Sequence, residues 1–162
     1  VHGMSQRGGD VMSCLRLSSS PISSDLIPQG KADMIVSLEP MEALRYIQWL
    51  RPEGWIVTNT TPFVNIPNYP EPEGLADALA ERARTVAFDM AQGLEMVQVE
   101  RDLAVFQLQG VLLGAAAPFI GIPPEKIEDG IRTVFMPKGE KIVESNLAAF
   151  RAGVARSRSD EK

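Results

Sequence analysis

The chain has 162 residues, of which 44% are hydrophobic and 23% are charged, a globular composition that excludes collagen-like, coiled-coil and disordered proteins and allows one sizeable core. The formal net charge of −5 argues against nucleic acid or an anionic membrane as a partner, because both carry the same sign of charge. The one cysteine, Cys14, excludes an internal disulfide framework and any site built from several cysteines of this sequence. With no long apolar run and no signal-peptide pattern, the sequence predicts a cytoplasmic protein.

The beginning of the sequence is a polar, glycine-rich run over residues 2–9, directly after Val1. A loop of this kind normally follows a strand or a helix. We therefore expect that a segment upstream of Val1 is missing from this sequence.

The first third of the sequence predicts a βαβ unit. Alternation of apolar residues predicts a short, mostly buried strand over residues 11–18, and a continuous apolar run predicts a second strand over residues 32–38. Pro40 with acidic neighbours marks the start of a helix, which Pro52 and Gly54 end. A buried strand over residues 55–58 follows, and a helix between two nearby strands implies that the strands are parallel.

The segment between residues 60 and 74 contains four prolines, which exclude a helix or a central strand. This loop leaves the carboxyl end of a parallel strand, which is where such sheets hold ligands or partners. Residues 59–69 are therefore predicted to form a functional surface.

The rest of the sequence is predicted to be mainly helical. The spacing of apolar residues predicts helices over 75–86, 90–96, 102–119, 122–135 and 141–155, a short strand over 87–89 and a polar tail over 156–162. Gly110 and Gly114 permit another backbone to approach the 102–119 helix closely. The predicted fold class is α/β, with three layers and a mostly parallel, Rossmann-like sheet flanked by helices, in a single domain over residues 1–155.

Few single residues in the sequence point to chemistry. His2 is the only histidine, so a histidine-based triad or a pair of histidine metal ligands is excluded. Cys14 lies in an apolar strand pattern, which favours a small buried side chain over a nucleophile. Glu39 and Glu42, at a helix start, either form an acid–base pair or complement the helix dipole, and the second alternative is favoured.

The loop over residues 3–9 is the strongest candidate for a binding site. Its glycines permit close approach of a ligand, while Ser5, Gln6 and Arg7 supply hydrogen-bond donors. The arginine can bind a carboxylate or a phosphate through two parallel hydrogen bonds. A structural turn or a subunit contact explains the loop equally well.

A series of motifs, in order along the chain, resembles one known family. The motifs are His-Gly-Met-Ser-Gln-Arg-Gly-Gly at 2–9, Ala-Asp at 32–33, Leu-Glu-Pro-Met-Glu-Ala-Leu-Arg-Tyr at 38–46, Asn59, Ile-Pro-Asn-Tyr-Pro at 66–70, Leu-Gly-Ala at 113–115, and Asn146 with Ala-Phe at 149–150. Together they resemble the gamma-type domain of 2-oxoacid:ferredoxin oxidoreductases, and within that family the beta subunits of indolepyruvate ferredoxin oxidoreductases. The resemblance covers nearly the whole chain up to Gly153.

The resemblance implies a subunit that supports the oxidative decarboxylation of indolepyruvate or another aryl-pyruvate to an acyl-CoA. In this family thiamine diphosphate and the 4Fe-4S clusters belong to a large catalytic partner subunit, and ferredoxin and CoA are reached through the complex, so no cofactor is expected in this chain. The family also begins with a strand and a glycine-rich turn upstream of the His-Gly-Met-Ser-Gln-Arg motif. The first strand and helix of the sheet are therefore expected to be missing here.

The residues expected to contact substrate or the partner subunit are His2, Ser5, Gln6, Arg7, Gly8 and Gly9, with Asn59 in second place. No catalytic residue and no metal ligand is assigned. Two alternatives stay open: a nucleotide-binding dehydrogenase whose glycine loop lies upstream, and a pure assembly module in which the loop over residues 3–9 is only an interface.

Overall fold

The structure is a computed structural model that describes residues 12–62, 64, 68–89 and 104–157. The predicted helix over residues 90–96 and the glycine-rich loop over residues 2–9 lie outside the described residues.

Three parallel strands form the sheet of the described part. They are β1 (Ala32–Ser37), β2 (Leu50–Asn59) and β3 (Arg84–Phe88), in the order β1-β2-β3. In the register, Val57 of β2 lies between Val36 of β1 and Val86 of β3. The predicted parallel βαβ unit and the α/β fold class are confirmed.

Five α-helices accompany the sheet in the described part. They are α1 (Pro40–Arg45), α2 (Pro72–Arg82), α3 (Ala104–Ile120), α4 (Pro124–Phe135) and α5 (Glu140–Ser157), with short 3-10 turns at Ile47–Trp49 and Met136–Lys138. None of the helices in this part of the chain has the length and apolar character needed to cross a membrane.

Strand β2 is buried on both faces, which gives the fold its three layers. Ile56 packs with Ala43 and Leu79 in the layer of α1 and α2. The next residue, Val57, points to the other face and packs with Val111 in the layer of α3. Because consecutive residues of a strand face opposite sides, a strand that is covered twice has a continuous apolar sequence.

Helices α3 and α5 approach each other backbone to backbone. A Cβ atom placed on Gly114 would lie 2.0 Å from the carbonyl oxygen of Phe150, and one on Gly153 would lie 1.9 Å from the carbonyl oxygen of Val111. Only glycine fits at these two positions. The close approach predicted at Gly114 is confirmed, and Gly110 makes a looser contact, with its ideal Cβ 3.2 Å from the Cβ of Ala149.

Helix α4 is tied to α5 by a two-point ion pair. The Nε and Nη2 atoms of Arg151 donate to the two carboxylate oxygens of Glu128 at 2.8 and 2.6 Å. These hydrogen bonds hold the pKa of the Glu128 carboxyl below its usual value. The pair adds a geometrically specific contact between α4 and α5 to their apolar packing.

The prediction of a strand over residues 11–18 is wrong for the described residues 12–18. Met12 makes a single β-bridge, but residues 13–18 have no regular structure, and Leu15 is 72% exposed. The Nη1 atom of Arg16 donates to the carbonyl oxygens of Ser24 and Leu26 at 2.6 and 3.3 Å. The chain therefore folds back on itself as a loop, an arrangement that the alternation of apolar residues does not reveal.

The predicted boundary between the helix over 75–86 and the strand over 87–89 is also wrong. Helix α2 ends at Arg82 because Ala83 is extended, with φ at −157°. The Thr85 hydroxyl donates to the carbonyl oxygens of Leu79 and Ala83 at 3.2 and 3.1 Å, which closes the helix end. The β-branched residues that follow then pair with β2.

The predicted boundary before β2 differs in the same way. The helix that begins at Pro40 ends at Arg45 rather than near Pro52, and β2 already begins at Leu50. Pro52 and Gly54 lie inside the strand, where the register with β1 is irregular. Such an irregularity tolerates a residue without an N–H donor.

The carboxyl end of the described chain departs from the sequence prediction by two residues. Helix α5 continues through Arg156 to Ser157, and Ser157 is buried. The predicted polar tail is therefore wrong at these two residues, and its remainder, residues 158–162, lies outside the described residues. The assignment of residues 1–155 to one domain stays a prediction.

We expect Gly114→Ala to lower the free energy of unfolding by about 3 kcal/mol or more, because the new methyl group overlaps the backbone of α5. Gly130→Ala is the matched control. Its ideal Cβ in α4 meets no atom within 4 Å, so alanine should raise stability by about 0.5–1 kcal/mol. Urea unfolding measures both, and equal effects of the two changes would contradict the backbone contact.

Candidate functional site

The carboxyl ends of the three parallel strands lie at one edge of the sheet, which we call the carboxyl edge. The residues at the strand ends are Ser37, Asn59 and Phe88. Open parallel sheets bind ligands at this edge. The second-rank candidate Asn59 is therefore placed where the sequence predicts a functional surface.

Asn59 helps to shape the turn that leaves β2. Its Nδ2 donates to the carbonyl oxygen of Thr61 at 3.0 Å. The Thr60 amide donates to the carbonyl oxygen of Phe88 at 3.0 Å, and the Thr61 hydroxyl donates to Oδ1 of Asp89 at 3.1 Å. The beginning of the loop is thus bonded to the end of β3.

Glu39, two residues after the end of β1, accepts hydrogen bonds through both of its carboxylate oxygens. Oε2 accepts a hydrogen bond from the Glu42 amide at 2.9 Å, which caps the N-terminus of α1. Oε1 accepts a hydrogen bond from the Tyr69 hydroxyl. The Ser37 hydroxyl also donates to the Glu39 carbonyl oxygen at 2.6 Å, so Glu39 is held from its backbone as well as from its side chain.

The capping alternative is therefore favoured over an acid–base pair of Glu39 and Glu42. Both carboxylate oxygens of Glu39 already accept hydrogen bonds. The Glu42 carboxylate accepts from Nε of Arg45 at 3.1 Å. A proton-transfer pair needs its carboxylates directed at a substrate rather than at partners within the chain.

The Tyr69 hydroxyl titrates abnormally. Partial burial, and next the hydrogen bond to the Glu39 carboxylate, hold the pKa of Tyr69 well above its ordinary value of 10.0. Burial disfavours the ionised hydroxyl, and ionised Tyr69 would also place a second negative charge beside Glu39, so the proton is retained.

A shallow, mainly apolar groove of about 530 Å³ lies between α1 and α2. It is lined by Met41 and Leu44 of α1, Leu75 and Ala78 of α2, and Pro70, which follows Tyr69. Arg45 and Glu71 also line the groove, but most of its lining is apolar packing surface.

The predicted site in the amino-terminal loop lies outside the described residues. This holds for His2, Ser5, Gln6, Arg7, Gly8 and Gly9, and their contacts with substrate or a partner stay a prediction. Cys14 is described and is only partly buried. Within the described ranges, no group of three His, Cys, Asp or Glu side chains is arranged to hold a metal ion.

Comparison with known proteins decides the family. The model of the pyruvate ferredoxin/flavodoxin oxidoreductase family matches residues 1–156. The chain belongs to this family. The matched range includes both the loop over residues 2–9 and the carboxyl edge.

The related proteins share a name. Proteins named indolepyruvate oxidoreductase subunit IorB are 37% identical in Thermococcus kodakarensis and 35% identical in Pyrococcus horikoshii, in each case over 95% of this chain and 77% of the relative. The protein of that name from Methanothermobacter thermautotrophicus is 31% identical over 94% of this chain and 78% of its own length. No solved structure matches significantly.

These matches confirm the resemblance inferred from the motifs, and with it a subunit of a 2-oxoacid oxidoreductase. They favour this assignment over the nucleotide-binding dehydrogenase. Sequence reasoning missed the pairing of Glu39 with Tyr69, although it placed both residues in motifs. The available signal was an acidic residue at a helix start and a tyrosine at the end of the proline-rich loop.

We expect the pKa of Tyr69 to make the folded state less stable in alkali. Below the ordinary pKa of 10.0 both states keep the Tyr69 proton, and the contribution of protonated Tyr69 to the stability of the folded state is complete. Above that pH the unfolded chain releases the proton while the folded chain retains it, so the free energy of unfolding falls as the pH rises. Urea unfolding at about pH 8 and about pH 11 should show this loss. In Tyr69→Phe the loss should be smaller, and an equal loss in the variant would contradict the assignment.

Proposed function

We propose that this chain is the small subunit of an enzyme that oxidatively decarboxylates indolepyruvate or a related aryl 2-oxoacid. The reaction would form an acyl-CoA and reduce ferredoxin. The observation that carries the proposal is the similarity to indolepyruvate oxidoreductase subunits over about 95% of the chain.

The proposal assigns the cofactors to a large partner subunit. A 4Fe-4S cluster is held by four cysteine thiolates, and this sequence contains one cysteine. Thiamine diphosphate stabilises the carbanion formed on decarboxylation, and the clusters carry the electrons away. We also propose a cytoplasmic complex, where a free thiol such as Cys14 stays reduced.

The proposal gives this chain two contact regions. The loop over residues 2–9 would bring Arg7 to an anion, either the carboxylate of the 2-oxoacid or a phosphate of CoA, because a guanidinium pairs with both through two hydrogen bonds. The carboxyl edge would contact the large subunit. Ferredoxin would be reduced at the large subunit.

The assignment of cofactors predicts the behaviour of the isolated chain. Purified alone, it should show no visible absorption from a cluster and no binding of thiamine diphosphate by calorimetry. Co-expressed with the large subunit, it should copurify with it, and the complex should reduce ferredoxin with indolepyruvate and CoA. A cluster or micromolar cofactor binding in the isolated chain would contradict the assignment, and a complex without activity on aryl 2-oxoacids would contradict the function.

Arg7→Ala should lower the kcat/KM of the complex for the 2-oxoacid or CoA roughly ten- to a hundredfold, since a charge-assisted hydrogen bond is worth about 1.5–3 kcal/mol. Arg51→Ala is the matched control at the amino end of β2. Arg51 pairs with exposed Asp33 at 3.1 Å, and a surface pair contributes little. Unchanged kinetics in Arg7→Ala would favour a loop that serves assembly only.

A further inference from the structure

The segment that leaves the central strand is hydrogen-bonded to residues that follow both outer strands. We call its described residues, 60–62, 64 and 68–70, the edge loop. Near its beginning, Thr61 donates to Asp89, which follows β3. Near its end, Tyr69 donates to Glu39, which follows β1. Because β2 lies between β1 and β3, the two hydrogen bonds anchor the two ends of the edge loop on opposite sides of the central strand.

The edge loop is also stiff at its end. Tyr69 precedes Pro70, which restricts its backbone to extended conformations, and Pro72 is the first residue of α2. A hydroxyl that donates to a carboxylate makes one of the stronger kinds of hydrogen bond. The bond between Tyr69 and Glu39 therefore fixes the end of the edge loop and links it to the N-terminus of α1.

The surface of the edge loop has the composition of a protein interface. Residues 59–70 carry no charged side chain, whereas 23% of the whole chain is charged. Within the edge loop, Val64 is 66% exposed and Thr60, Asn68 and Pro70 are also exposed. Depletion of charge with exposed apolar groups is typical of the centre of protein interfaces. Small anionic ligands would require cations, which the edge loop lacks.

We propose that the edge loop is a preorganised docking surface for the large catalytic subunit, and that Tyr69 is a positioning residue that acts through Glu39. This inference rests on the proposed function. A loop that is already anchored at both ends loses less conformational entropy on association. Removing the Tyr69 hydroxyl would raise this entropic cost of association. It would leave Val64, the exposed apolar side chain that we expect to contact the partner, in place.

The test compares subunit affinities. The Kd between this chain and the co-expressed large subunit is measured by biolayer interferometry for the wild type and for Tyr69→Phe. We expect Tyr69→Phe to raise the Kd about tenfold, equivalent to about 1.4 kcal/mol, with a lower Tm from the lost hydrogen bond and an unchanged kcat at saturating small subunit. Tyr46→Phe removes the other tyrosine hydroxyl, after the end of α1 and away from the carboxyl edge, and should leave the Kd unchanged.

Two further variants separate positioning from simple loss of stability. Glu39→Gln, alone and combined with Tyr69→Phe, forms a double-mutant cycle in which the effects on Kd should not add, because Tyr69 acts through Glu39. Thr61→Val cuts the bond to Asp89 and should raise the Kd in the same direction.

The outcomes are distinguishable. An unchanged Kd in Tyr69→Phe, additive effects in the cycle, or a loss of kcat at constant Kd would overturn the docking surface while the wild-type complex stays active. A wild-type chain that neither binds the large subunit nor supports turnover would instead overturn the proposed function.

Discussion

Burial of β2 on both faces is the constraint on which the rest of the described structure depends. Ile56 and Val57 are both fully buried, one against the layer of α1 and α2 and the other against α3. A strand covered twice cannot slip by one residue, because a slip would exchange the two faces and break both layers together. The register with β1 and β3 is fixed for the same reason.

The layer of α3 depends in turn on two glycines rather than on large side chains. With backbones touching at Gly114 and Gly153, α3 and α5 form a double layer in which Phe150 and Leu147 are fully buried. The ion pair of Arg151 with Glu128 then joins α4 to α5. Close packing of this kind tolerates little change in volume.

The sequence was informative where one physical signal dominated. Uninterrupted apolar runs predicted β1 and the centre of β2, and the glycine at position 114 predicted the close helix contact. It was misleading where side-chain hydrogen bonds to the backbone accompany the local structure: Arg16 donates to the carbonyl oxygen of Ser24 in the exposed loop at Leu15, and Thr85 closes the end of α2 at the start of β3. Local periodicity carries no information about such partners. The pairing of Glu39 with Tyr69, 30 residues apart, was beyond it for the same reason.

The geometry of the carboxyl edge is a consequence of the strand register. Pairing of Ser37 with Thr58, and of Asn59 with Phe88, sets where Glu39 and Asp89 leave the sheet on either side of β2. This register places both acidic residues beside the segment that leaves the central strand, where they accept its hydrogen bonds. The pairing of the buried strand beneath these hydrogen bonds determines their positions. Stability of the core and shape of the edge loop are therefore properties of the same strand pairing.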